Sequence, residues 1–327
     1  MCTGFSVQSV LQHNYLARTM DFAFESNNIP IAVPKRYNYE FEIAGKQELK
    51  YGFVGTAMMV GQYRFSDGVN EQGLAISNHY FSRLASYTTN PREGYFNVGP
   101  EEFILWLLGF NNSIATLKQS IAQVNIVAIG NKALDNIPPL HFIVTDKTGE
   151  TVTIEPHNGL LVVKENPVHV LTNSPNLEWH YENLKNYTHL SPLQHQQKQF
   201  GERNFEALGN AGGTFGLPGG FTSSERFVRA AYLRQHLILE GRDINQHVNQ
   251  CFKVLDNVSV PYGAIRENGE THYTQFQCVL DCKHQTYYIK PYDSSEVFEV
   301  QLCQTLLEKD TPTYFSLEHK FKTHRLN

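Results

Sequence analysis

Blocks of strand-patterned and helix-patterned sequence alternate along this chain in the order strands, helices, strands, helices, strands, and few folds can bury that order. Residues 2–9, 14–22 and 28–33 cluster β-branched and aromatic residues between polar turns such as Gln12-His13-Asn14, and 51–55, 58–65 and 73–80 continue the pattern. The first two strands and their short turn predict a hairpin. Pro100 then sits just inside a helix start, with Glu101 and Glu102 in the first turn where negative charge suits the helix dipole, and the segment runs to about Phe110. Ser113 is placed to cap a second helix, in which Ile114, Leu117, Ile121 and Val124 recur at helical spacing. Strands return at 139–146, 151–155, 160–164 and 168–172, with Asp146-Lys147-Thr148-Gly149 as a turn. Helices are expected at 223–238 and from Asp243 to about Leu255, and strands at 271–280, 285–290 and 297–301 close the chain. A layered α+β sandwich, two stacked sheets between helical layers, accommodates this order in one domain over 1–327.

Composition narrows the function. An apolar content of 41% over 327 residues supports a substantial core. The net charge of -5 leaves no basic field to hold nucleic acid or anionic lipid. The start, MCTGFSVQSVLQ, lacks a basic and apolar leader pattern, and nowhere do about 18 apolar residues run together, so the expectation is a cytoplasmic protein without membrane contact. Five cysteines are an odd, sparse set that argues for a reducing compartment rather than a disulfide framework. The Cys278 to Cys282 spacing has no second pair, and alternation along a strand puts both thiols on one face, which favours packing. Fourteen scattered histidines contain no H-E-x-x-H pattern, and no metal site is expected. Segment 188–222 is polar and then glycine-rich (GNAGGTFGLPGG) without a G-K-[ST] ending, which predicts a structural or subunit-contact excursion rather than a nucleotide loop.

Cys2 carries the chemistry. Removal of Met1 would place its thiol beside a free α-amine, so that one residue supplies both nucleophile and proton shuttle, with ordinary pKa values of about 8.5 and 7.7–8.0. Arg18 and Asp21 interrupt the apolar strand next to it, and buried ions need partners, so the two face a shared polar site or each other. Asn173 stands where the chain leaves a strand, able to point an amide into a cleft or simply to form the turn. Arg226 opens a helical stretch, where a surface arginine is the common case, and Tyr80 ends a strand, where aromatic packing is the ordinary role.

Eight segments spread in order along the chain, MCTGF, ARTMDF (17–22), FSDGVNEQGLA (65–75), PPLHFIVTDKTG (138–149), LTNSPNLEWH (171–180), FGLPGG (215–220), SSERFVRAAYL (223–233) and HYTQFQCV (272–279), together resemble the choloylglycine hydrolase family of conjugated bile salt hydrolases and penicillin V acylases. The resemblance implies an N-terminal nucleophile hydrolase with an αββα sandwich and antiparallel sheets, cleaving a linear carbon–nitrogen amide with no cofactor. It assigns Cys2 as the nucleophile, Arg18 and Arg226 to its sulfur, Asp21 to the α-amine and Asn173 to the oxyanion. It places Met20, Ser66 and Tyr80 at the substrate and implies a homotetramer held partly by 188–222.

At the position of Tyr80 bile salt hydrolases usually carry Asn and penicillin V acylases Tyr, so the sequence favours a penicillin V acylase-like enzyme acting on a small-molecule N-acyl amide. Bile salt hydrolase is the alternative, followed by acyl-homoserine lactone acylase and a non-catalytic ligand-binding homologue. Two departures bear on that last reading. The family pattern has Asp where this chain has Gly220, and Ser directly before the arginine where it has Glu225. A Glu225–Arg226 pair would weaken the positive field on Cys2.

Overall fold

The computed structural model describes residues 1–23, 27–60, 62–129, 137–241, 243–267, 269–317 and 320–327. The alternation of blocks becomes two antiparallel sheets that meet face to face. The first runs Val170–Leu171, Cys2–Gln8, Asn14–Phe22, Glu270–Asp281, Thr286–Pro291, Phe298–Gln301, with Ile265–Glu267 folded back on Glu270–Asp281. The second runs Leu160–Glu165, Thr151–His157, Leu140–Thr145, Ala75–Tyr80, Asp67–Asn70, Phe53–Val60, Ile29–Val33, Thr313–Tyr314, with Gln62–Phe65 against Phe53–Val60. Helices Ser223–Gln235 and Ile244–Asp256 cover the outer face of the first sheet, and Phe103–Phe110 covers that of the second. This is the α+β sandwich expected from the order of blocks.

Local chemistry sets the helix ends. Ser113 accepts the Thr116 N–H, Thr222 the Glu225 N–H, and Asp243 those of Asn245 and Gln246, so three helices begin at side-chain caps. Pro100 opens a short 3-10 turn, Pro100–Glu102, that leads into the helix, and the buried Glu102 carboxylate takes the N–H groups of Gly99 and Glu42. In Ile244–Asp256 the buried Val248, Cys251, Phe252 and Leu255 form one stripe against the sheet.

Two strand expectations shift, and one strand was not expected. Residues 51–55 and 58–65 are not two strands broken at glycine; Phe53–Val60 runs through Gly55 and returns as Gln62–Phe65, position 61 lying outside the described residues. Gly55 is there for close approach, since a Cβ on it would lie 2.1 Å from the Asp67 carbonyl oxygen. The polar strand Asp67–Asn70, buried throughout, has no apolar alternation to announce it. Residues 168–172 shrink to Val170–Leu171, which crosses to the first sheet beside Cys2–Gln8.

Cys278 and Cys282 are buried free thiols in the core of the first sheet, which is a packing role. The 188–222 excursion holds a hairpin, Lys198–Phe200 with Arg203–Phe205, in which every residue is exposed. No helix of the described residues is long and apolar enough to cross a membrane.

Candidate active site

Strand alternation divides the site between two faces. Cys2 lies opposite Met20 and Gly4 opposite Arg18, and these side chains point toward the second sheet. Thr3, Thr19 and Asp21 point the other way, toward the Ser223–Gln235 helix that carries Arg226. Arg18 and Asp21 are three residues apart and therefore do not pair. Each has its own counter-ion.

On the inter-sheet face, the Arg18 guanidinium is wholly buried and donates to the Cys2 Sγ at 2.9 Å. Its other end donates to Asp67 Oδ2 and the Ser66 carbonyl, both at 3.0 Å. Burial works against the charged guanidinium, and the Cys2 sulfur and Asp67 more than offset it, so its pKa lies above the ordinary value. Asp67 is itself fixed by the Tyr287 hydroxyl at 2.7 Å and the Thr56 N–H at 3.1 Å. Asp67 lies in the FSDGVNEQGLA segment without a role expected of it. The available signal was an aspartate in a segment with no solvent-facing alternation. Beneath the nucleophile, His79 lies against Gly4, where a Cβ would come within 2.9 Å of the ring; burial and then Arg18 hold its imidazole neutral, well below the usual pKa.

On the helix face, Arg226 is also fully buried, against the expectation of a surface helix arginine. It reaches the backbone of the nucleophile rather than the sulfur, donating to the Cys2 carbonyl at 2.7 Å, Thr3 Oγ1 at 2.5 Å and Asn173 Oδ1 at 2.7 Å. Burial lowers its pKa, with Asp21 and Cys2 acting in opposition. The Asp21 carboxylate accepts the hydroxyls of Thr274 (2.6 Å) and Thr19 (3.2 Å) and lies 4.0 Å from Arg226.

Asn173 joins both faces. Its Oδ1 accepts the Cys2 N–H at 3.0 Å, and its Nδ2 donates to the Tyr80 carbonyl at 2.9 Å, which leaves one amide N–H for another acceptor. Ser223 at the helix start holds its backbone through two 3.0 Å bonds. With Met1 present, the terminal ammonium donates to the Asp21 carbonyl, not the carboxylate, at 2.7 Å.

The two departures prove to be one arrangement. Glu225 does not pair with Arg226; it caps the helix, accepting the Thr222 N–H and hydroxyl. A Cβ on Gly220 would fall 2.3 Å from the Glu225 carboxylate, so the glycine leaves the room that the glutamate fills. Gly220→Asp is expected to push Glu225 off its cap and cost about 1 kcal/mol. Adding Glu225→Ser should then cost less than it does alone, and thermal unfolding of the two singles and the double that showed simple additivity would contradict the coupling.

Cys2 opens into a cleft of about 750 Å³ lined by Met20, Phe22, Met58, Phe65, Tyr80 and Leu140. Ser66 lines it beside Asp67, and Arg64, 3.3 Å from Glu101, gives one polar edge. All eight residues expected at the site therefore gather around one cleft or directly behind it. The lining is apolar with few polar groups, as small-molecule pockets are.

The profile of the linear amide C-N hydrolases, choloylglycine hydrolase family, matches residues 2–315. A bile salt hydrolase/transferase of Clostridium perfringens is 32% identical over 311 residues, covering 92% of each chain. Among solved structures, a conjugated bile acid hydrolase of the same organism superposes over the whole of both chains with a TM-score of 0.90 at 28% identity. A penicillin V acylase from Agrobacterium tumefaciens shares the fold, with a TM-score of 0.76 at 21% identity over 95% of this chain and 89% of that one.

Proposed function

The chain belongs to the choloylglycine hydrolase family of linear amide C–N hydrolases, and from that premise we propose that it hydrolyses conjugated bile acids with Cys2 as nucleophile. The observation that carries the chemistry is the buried Arg18 guanidinium 2.9 Å from the Cys2 sulfur at the head of an apolar cleft. A guanidinium that cannot lose its proton favours thiolate over thiol.

With Cys2 as first residue, its α-amine takes the thiol proton while Sγ bonds to the amide carbon. Asn173 Oδ1 orients that amine, and the free Nδ2–H of Asn173 meets the developing oxyanion, a donor worth roughly 10²–10³ in rate. Collapse breaks the C–N bond, the α-ammonium returns its proton to the leaving amine, and an acyl-thioester remains. Water then adds to the thioester, the thiol is regenerated and the acid departs. Arg226, on the Cys2 carbonyl, holds the nucleophile's backbone.

This ordering corrects the penicillin V acylase preference drawn from Tyr80. Relatives named for bile salts or bile acids match nearly the full chain at 32% and 28% identity, whereas the acylase likeness carries the fold alone. The polar Arg64–Glu101 edge offers partners to the hydroxyls of a hydroxylated ring system. Tyr80, stacked edge-on against Phe22, keeps penicillin V as the second reading. On Met1-processed protein, kcat/KM for glycocholate is expected to exceed that for penicillin V by about tenfold or more; the reverse bias restores the acylase, and an acyl-homoserine lactone added to the panel tests the third class. The non-catalytic reading takes the altered Gly220 and Glu225 loop to disable the site; against it, Glu225 caps the helix and does not pair with Arg226.

The exposed hairpin, with Phe200 and Phe205, and the neighbouring Leu208 and Phe215 support a homo-oligomeric contact. Light scattering of Phe200→Asp/Phe205→Asp should report a smaller species than the parent; equal masses would remove the excursion from assembly.

A further inference from the structure

At the far end of the first two strands from Cys2, the chain gathers nitrogen and oxygen donors that amide hydrolysis does not use. We propose that His13, Asp281 and His284 bind a divalent transition-metal ion of the Zn²⁺ or Co²⁺ class. One ligand atom from each lies within 4.8 Å of the others, the single such group among the described residues. His13 comes from the turn before Asn14–Phe22, Asp281 ends Glu270–Asp281, and His284 follows in the next turn, so an ion there would join the two central strands of the sheet.

The carboxylate is built for the purpose. Asp281 is fully buried, and its Oδ1 accepts the N–H groups of Lys283 (2.8 Å) and His284 (3.0 Å), which leaves Oδ2 aimed at His284 Nδ1, 2.9 Å away. Two ligand atoms at that separation can share an ion at about 2.0–2.2 Å from each. The His13 ring lies 5.0 Å from that of His284, and its Nδ1 is shielded from solvent with no hydrogen-bond partner. Beside it, the buried His247 accepts or donates at Nδ1 with the Tyr15 hydroxyl (3.2 Å), and its Nε2 has no partner either. An ion and its water would satisfy these unmet nitrogens. Lys283 Nζ stands 3.2 Å from His13 Nε2 on an exposed side chain, a cation that opposes a metal ion at this cluster and is free to retreat. Two imidazoles and one carboxylate suit Zn²⁺ or Co²⁺ and not Mg²⁺ or Ca²⁺.

The test uses the full chain as Cys2→Ser, which removes the competing thiol–amine chelate. Titration with ZnCl₂ and CoCl₂ by calorimetry and visible absorption should give one ion per chain, a nitrogen/oxygen cobalt spectrum without a thiolate band, and a raised Tm. His13→Gln and His284→Ala should each weaken binding by about 100-fold, and Lys283→Ala should tighten it. Absence of binding, or an affinity unchanged in both histidine variants, overturns the site.

Discussion

Cys2→Ser and Cys2→Ala are both expected to lower kcat/KM by at least about 10³ on whichever amide proves best, with the fold intact. The serine variant is the sharper of the two. A serine hydroxyl at the same position puts an oxygen nucleophile beside the α-amine, but Arg18 acts by favouring an anion, and a thiol yields one far more readily than an alcohol does. The sulfur sits against Arg18 and Met20, and a serine of nearly the same shape costs little packing there. Alkylation supplies the independent check once a second reactive cysteine is removed. Cys251, Cys278 and Cys282 are buried and burial pushes their thiols up, whereas Cys303 is exposed and the Thr305 hydroxyl draws its thiol below the usual pKa. Iodoacetamide will therefore find Cys303 as well. In Cys303→Ser, label on Cys2 should rise in step with loss of activity; turnover that survives in Cys2→Ala ends the nucleophile assignment.

The elements legible in the sequence were those whose signal is local. Ser113, Asp243 and the Asp146–Gly149 turn name their own places because a cap or an Asx turn is satisfied within four residues. The expected site residues share one cleft or lie directly behind it, with Arg226 on the Cys2 carbonyl instead of the sulfur, yet their partners were not readable. Period-two alternation alone places Arg18 and Asp21 on opposite faces, but only the register of Asp67–Asn70 against the rest of the second sheet puts Asp67 under Arg18. Arg226 illustrates the same limit. A helix arginine is ordinarily solvated, and nothing within the helix announces that the Cys2 carbonyl and Asn173 will receive it 224 and 53 residues away in sequence. Gly220 and Glu225 read separately as losses; in space they are one cap with room made for it.

Asp67→Ala is expected to destabilise the protein by about 3–5 kcal/mol, because it removes the carboxylate paired with a buried guanidinium. Asp67→Asn separates charge from shape. The amide oxygen can still accept from Thr56 and Tyr287, so the strand keeps its register, while Arg18 loses a carboxylate and Cys2 loses a negative neighbour on the same cation. Both changes favour the thiolate, and the acid limb of kcat/KM against pH should move to lower pH. At the plateau, kcat should fall, by up to about 10², since the far end of the guanidinium keeps the Ser66 carbonyl but loses its carboxylate, and the sulfur it positions is less nucleophilic. A residue that merely packed would lower Tm and leave the pH profile where it was. An Asp67→Asn enzyme with unaltered acid limb and full kcat would assign the Arg18–Asp67 pair to stability alone, and the control of the nucleophile would then reside in Arg18 and the α-amine without help from the second sheet.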